Sequence, residues 1–168
     1  MGVGHIRRQR GYAWEYKLRK RFNETKGYAC KRLGSSGTDF PDLVAVNNTV
    51  RVLMSIECKS TQSTEAHVPA EQVERCNDVC EFFAGGYIVR RSILAFWFMG
   101  KTRDRVKNLD GKLENVYIKR EQREFYHDVT GLPKGYNYKC TYNGELYAYN
   151  DVDKHIVTKT RVRMPFES

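Results

Sequence analysis

The stretch from Ser35 to Ser60, SSGTDFPDLVAVNNTVRVLMSIECKS, limits what this chain can fold into more than any other. Two runs rich in β-branched and apolar residues, LVAV (Leu43 to Val46) and VRVLMSIE (Val50 to Glu57), flank Asn47 and Asn48. Asn tolerates the backbone conformations of a short turn, so the spacing predicts two adjacent strands joined as a hairpin. Side chains alternate along a strand, and residues two apart share a face. Glu57 and Lys59 then point one way, Ile56 and Cys58 the other. The pairing carries Asp42, at the mouth of the first strand, back towards Glu57.

That gathers two carboxylates and one amine into a small volume. Two carboxylate groups suit a hard dication such as Mg²⁺, which keeps waters and accepts phosphate oxygens in its remaining positions. A lysine beside it can orient a water and stabilise charge on a phosphate. This is the inventory for hydrolysing a phosphodiester. An isolated Glu-x-Lys is most often a surface ion pair. Here the tripeptide closes an apolar strand, follows Pro41-Asp42 at hairpin distance, and has a Gly/Ser-rich loop in front. On that constellation the metal-site reading is preferred.

Pro41-Asp42 and Glu57-Cys58-Lys59 resemble the two halves of the PD-(D/E)xK nuclease motif. From about Arg7 to Phe98 the chain is similar, more narrowly, to the archaeal Holliday junction resolvases. RRQRGYAWEYKLRKRF (Arg7 to Phe22) resembles that family's opening helix, with Glu15 at its metal-site glutamate. GYACKRLGSSGT (Gly27 to Thr38) resembles its strand and Ser-Gly loop, with Arg32 and Ser36 at functional positions. PAEQVERCNDVCEFFAGGYIVRR (Pro69 to Arg91) resembles its Glu-Gln helix and the strand after it, with Gln72 placed to touch the site. Tyr16 stands where family members often carry Arg, so that contact to DNA is either missing or supplied by Lys17 or Arg19. Asp39 is a second acid in the loop, although Pro41-Asp42 fits the motif better.

The resemblance implies an α/β, restriction-endonuclease-like fold: a mixed central sheet flanked by helices. It implies a metal set of Asp42, Glu57 and Glu15, with Lys59 as the catalytic lysine and Mg²⁺ (or Mn²⁺ in its place) as cofactor, and no small-molecule cofactor. It implies a homodimer acting on branched DNA, a four-way junction, and cutting to leave a 5′-phosphate. Alternatives are another nuclease of the same superfamily acting on duplex, flap or damaged DNA, a non-catalytic DNA-binding protein on the same scaffold, and an RNA-processing role.

With 168 residues the chain fits one domain, or one with an appendage. We divide it into a nuclease core over 1–100 and a β-rich C-terminal extension over 101–168, packed on the core or continuing it. The net charge of +9 favours a polyanionic partner. Five cysteines and no secretory pattern point to reduced thiols in a cytoplasmic, nucleoid-associated protein. Cys76 and Cys80 lie one helical turn apart and read as core. No stretch is long and apolar enough to predict a membrane span.

Along the chain, Met1 to Arg10 reads as a mobile basic arm whose Arg7, Arg8 and Arg10 are available to DNA backbone. Trp14, Leu18 and Phe22 recur at helical spacing, predicting a helix over Gly11 to Glu24. Tyr28 to Leu33 reads as a strand, Thr61 to Val68 as a polar loop, and Pro69 opens a helix with Val73, Cys76, Cys80 and Phe83 on its apolar face. Tyr87 to Arg90 and Ile93 to Met99 supply more strand. Beyond Gly100, KTRDRVK reads as a charged connector. Asn143-Gly144 marks a hairpin within Lys139 to Tyr149. HIVTKTRVRM alternates, which would set Lys159, Arg161 and Arg163 on one face of a strand.

Overall fold

The computed structural model describes residues 3–34 and 39–167, with side chains described from Gln9 onward except that of Arg10. Helix α1 spans Val3–Asn23. The helix therefore starts at Val3 instead of Gly11, and the basic arm is its first turns. Arg, Gln and His are compatible with a helix, and a turn already nucleated downstream by packed residues propagates upstream at little cost. Arg7, Arg8 and Arg10 lie on this helical backbone, and their side chains are outside the described set.

Five strands build the central sheet in the order β1–β2–β3–β5–β8: β1 Ala29–Arg32, β2 Leu43–Asn47, β3 Val52–Thr61, β5 Val89–Phe98 and β8 Arg123–Asp128. The sheet is mixed: β3 and β5 run parallel, and the other neighbours are antiparallel. The expected two strands between Tyr87 and Met99 are one, β5. The fifth strand comes from beyond the expected core boundary, because β8 pairs with β5 from Ile93↔Asp128 to Phe98↔Arg123.

One face of the sheet is covered by α1. Trp14, Leu18 and Phe22 are buried against Leu43, Ala45, Ile56, Ile93 and Ala95, and the Trp14 indole donates to the Ala95 carbonyl at 3.1 Å. The opposite face of β5 and β8, carrying Leu94, Phe96, Phe98 and Phe125, packs on a second sheet. Its order is β11 (Lys154–Val157), β10 (Leu146–Tyr149), β9 (Asn137–Thr141) and β4 (Glu65–Val68). Strand β4 falls in the stretch read as a loop. Ala66 and Val68 alternate inward there, and β9, some seventy residues on, supplies the partner. Helix α2 (Ala70–Phe82) covers the rest of that face through Val73, Cys76, Val79 and Cys80. Phe83 is not on the buried face: it lies past the helix end and is 39% exposed, while Val79 takes its place.

Two left-handed glycines hold tight approaches. At Gly27 (φ +85°) a Cβ would meet the Asn47 amide at 2.8 Å, and at Gly144 (φ +88°) it would meet the Phe125 ring at 2.7 Å. The latter closes the expected β9–β10 hairpin. The expected strand over His155 to Met164 stops at Val157. Lys159 turns to φ 60° and Arg161 lies over the Phe125 ring at 4.7 Å, so the three cations do not form one strand face. The remaining pair, β6 (Lys101–Lys107) and β7 (Leu113–Lys119), is a separate two-stranded sheet. All five cysteines are free and buried, as core side chains. Among the described residues no helix is long and apolar enough to cross a membrane.

Candidate active site

The β2–β3 pairing is antiparallel with Leu43 opposite Ile56, so Asp42, one step earlier, arrives across from Glu57. The turn is longer than two residues. Asn47 pairs with Val52, and its side-chain oxygen accepts from the Thr49 and Val50 amides at 3.1 and 3.3 Å. Asp42 is pinned from the other strand: its Oδ2 accepts from the Cys58 amide at 2.8 Å. Glu57 is buried at 4% exposure, and Lys59 Nζ donates to its Oε1 at 3.0 Å.

Burial pushes the Glu57 carboxyl up, and neighbouring Asp42 pushes it further, to about 7, with Lys59 pulling the other way. Asp42 lies close enough to accept the proton that Glu57 then keeps. A buried carboxyl crowded by a second one is a donor set that a bound dication relieves, so the residues fit a hard divalent ion.

Glu15, on α1, is buried to 9% exposure, and its Oε2 accepts from Arg32 Nε of β1 at 2.6 Å. Burial and then Asp42 raise its pKa, while Arg32 and Lys59 lower it, so it belongs to the same electrostatic cluster. Its carboxylate is nevertheless committed to a guanidinium. Among the described residues no three acidic, His or Cys side chains converge as a ready metal-binding group. Arg32 is half presented to solvent and stacks over the Tyr12 ring at 4.3 Å.

Tyr12, Glu15, Tyr16, Arg19, Arg32 and Leu43 line an open pocket of about 210 Å³ beside these acids. This separates the two cations left open by Tyr16. Lys17 is committed to Glu124 of β8 at 2.8 Å, whereas Arg19 lies over the Tyr16 ring at 5.7 Å and lines the pocket. Tyr12 lies outside the residues expected at the site. It lies one turn before Tyr16 on the same helix face, and that spacing was its only signal.

Gln72 sits in the first turns of α2. The helix runs back along β3: Val79 and Cys80 pack on Leu53, and Cys76 lies near Ser55 and Glu57. One turn further, Gln72 falls towards the Glu57 end, and its Oε1 is buried with no hydrogen-bond partner among the described residues. Ser36 lies in 35–38, outside the described residues. Asp39 is exposed, whereas Asp42 meets β3, which favours Asp42 as the motif aspartate.

The sequence model of a family described as archaeal Holliday junction resolvase (hjc) matches residues 6–98. Among solved structures, the chain is similar to Archaeoglobus fulgidus Hjc, a Holliday junction resolvase from an archaeal hyperthermophile. The identity is 23% and the TM-score 0.40, and the alignment covers 50% of this chain and 64% of that one. Comparison with curated proteins finds no match.

Proposed function

This chain belongs to the archaeal Holliday junction resolvase family, and we propose that it is a divalent-metal-dependent endonuclease that cuts four-way DNA junctions. The observation that carries the reading is the crowded Asp42–Glu57 pair with Lys59 hydrogen-bonded to it. Asp42 and Glu57 would hold Mg²⁺, or Mn²⁺ in its place. That ion, when bound, supplies charge to a phosphate oxygen and acidifies a water.

The chain's own groups do the rest. Lys59, on the same face as Glu57, hydrogen-bonds the attacking water and offsets the negative charge that develops on the phosphoryl oxygens. The water oxygen forms the new bond to phosphorus. The P–O3′ bond breaks in line, O3′ leaves as a hydroxyl after taking up a proton, and the water's proton passes to solvent, leaving a 5′-phosphate. Glu15 orients Arg32 towards a backbone phosphate and completes the polar cluster, directly or through water. Arg19 takes the place of the arginine that Tyr16 displaces. Ser36, Gln72 and the helical Arg7, Arg8 and Arg10 add contacts to the DNA.

A four-way junction has two-fold symmetry, so matched cuts require two sites at fixed separation, which a C₂ homodimer provides. Exposed Val50, Phe82, Phe83, Ile88 and Val89 offer an apolar surface for it, at the strand end away from Glu57. Selectivity comes from junction shape read through phosphates.

The test is cleavage in Mg²⁺ of a synthetic four-way junction beside a linear duplex of the same arm sequence. Paired symmetric nicks in the junction alone are expected. Equal cutting of both would retain the nuclease chemistry and remove the junction specificity.

A further inference from the structure

The β6–β7 hairpin lacks the buried apolar face that holds the other strands of the fold in place. Both strands are exposed almost throughout, and neither face joins a core cluster. A lone two-stranded ribbon of this kind is marginal in water. Its charges are nevertheless sorted. Directly opposed residues share a face, and the register pairs Lys101 with Lys119, Arg103 with Tyr117, Arg105 with Asn115 and Lys107 with Leu113. One face therefore carries five cations and no acid. Both acids of the strands, Asp104 and Glu114, lie on the other face beside Val106, Val116 and Ile118.

Among the described residues none of the five cations forms an ion pair. Lys101 directly faces Lys119, an arrangement that destabilises a strand pair. A local rule broken with no compensation inside the molecule points to a compensation outside it.

The hairpin's base fixes where the ribbon leaves the core. Met99 N donates to Thr61 O at 2.9 Å, Arg103 N to Gln62 O at 3.3 Å, and Arg120 Nε to Met99 O at 2.8 Å. Thr61 is two residues past Lys59 on β3, so the ribbon leaves the sheet from the same end as the acids and the lysine. Alternate residues on a strand stand about 6.8 Å apart, close to two axial steps of about 3.4 Å along one DNA strand.

We infer that the Lys101–Arg103–Arg105–Lys107–Lys119 face of this hairpin is a second DNA contact, a ribbon laid along the phosphate backbone of the duplex arm that leaves the cleavage site. The inference rests on the nuclease reading and adds to it a surface beyond the 6–98 match. Asn115 and Tyr117 on the same face bring hydrogen-bonding side chains to the same backbone. The contact is to phosphate and carries no sequence preference.

The test compares junction binding by fluorescence anisotropy across a salt series, without divalent ions so that no cutting intervenes. The proteins are wild type, the triple variant Arg103→Gln/Arg105→Gln/Lys107→Gln, and a control on the other face, Val106→Thr/Val116→Thr. Thermal melts of all three should coincide. The triple variant should bind about 10- to 100-fold more weakly near 0.1 M salt, and its log–log salt slope should be shallower by about 2–3, with the control unchanged. An unchanged slope in the triple variant, or an equal loss in the control, overturns the inference. A parallel Mg²⁺ cleavage assay separates the two claims. Junction cutting by wild type with no slope change removes only the ribbon contact, whereas no binding and no cutting by wild type removes both.

Discussion

At the residue scale, Glu57 combines the position proposed for the metal with a poor place to be charged. Its proton is held to about 7 in the folded chain against 4.5 ordinarily. The folded state therefore binds this proton more tightly than the unfolded one. The stabilisation is complete below about 4.5 and is lost as pH rises through about 7. His127 acts in the same window with the opposite sign. Burial and then Arg161 lower it to about 4, so its contribution is complete above about 6.5 and lost as pH falls through 4. Melting the wild type alone would mix the two. The difference between Glu57→Gln and wild type isolates the carboxyl. Without divalent ions, the variant should gain stability relative to wild type between pH 4.5 and 7.5, by a few kcal/mol. A parallel pH profile for the two proteins would show that Glu57 is not strained. The Asp42, Glu57 and Lys59 grouping was legible because strand alternation and one hairpin register decide it. The Glu15–Arg32 pair and the capture of Lys17 by Glu124 were not, since each joins elements whose mutual placement no local pattern encodes.

At the scale of elements, what reads well is what buries an apolar stripe. Trp14, Leu18 and Phe22 announce α1, and Val73, Cys76 and Cys80 announce α2. Strand β4 was hidden because Thr, Ser and Glu dominate its surroundings and only Ala66 and Val68 alternate inward. The β6–β7 hairpin was hidden because its period-2 signal is written in charge instead of hydrophobicity, although Asp110-Gly111 marks its turn. The seam between α1 and β8 rests on Glu124, which accepts from Lys17, from both terminal nitrogens of Arg21 and from the Tyr126 hydroxyl. These bonds hold the Glu124 carboxyl down to about 2 in spite of burial. Glu124→Ala would leave two half-buried cations without their anion. Chemical denaturation should show a loss of about 2–4 kcal/mol, and a change within 0.5 kcal/mol would mean that the seam is held by Trp14, Trp97 and Tyr126 packing alone.

At the scale of the whole molecule, the stretch that matches the family and the stretch that completes the fold differ. The match ends at 98, yet β8 supplies the fifth strand of the central sheet, and β4 from the first hundred residues finds its partner only in β9. Pairing over such sequence separations is a property of the assembled chain, which is why residues 101–168 read as an extension of open purpose. The net charge of +9 was legible from composition, but the gathering of five of its cations on one face of the β6–β7 ribbon emerges only from the register.

Cleavage of a four-way junction in Mg²⁺ by wild type and Glu57→Gln, with junction binding measured on both, tests the proposed Asp42–Glu57 site most directly. The substitution keeps the shape of the side chain and removes its ability to hold a cation as a carboxylate. Binding within about threefold of wild type together with a loss of cutting of about 10³-fold or more is the expected result, the loss being of the order that removing one charge-stabilising group costs. Undiminished cutting by Glu57→Gln would contradict it and place the chemistry elsewhere in the molecule.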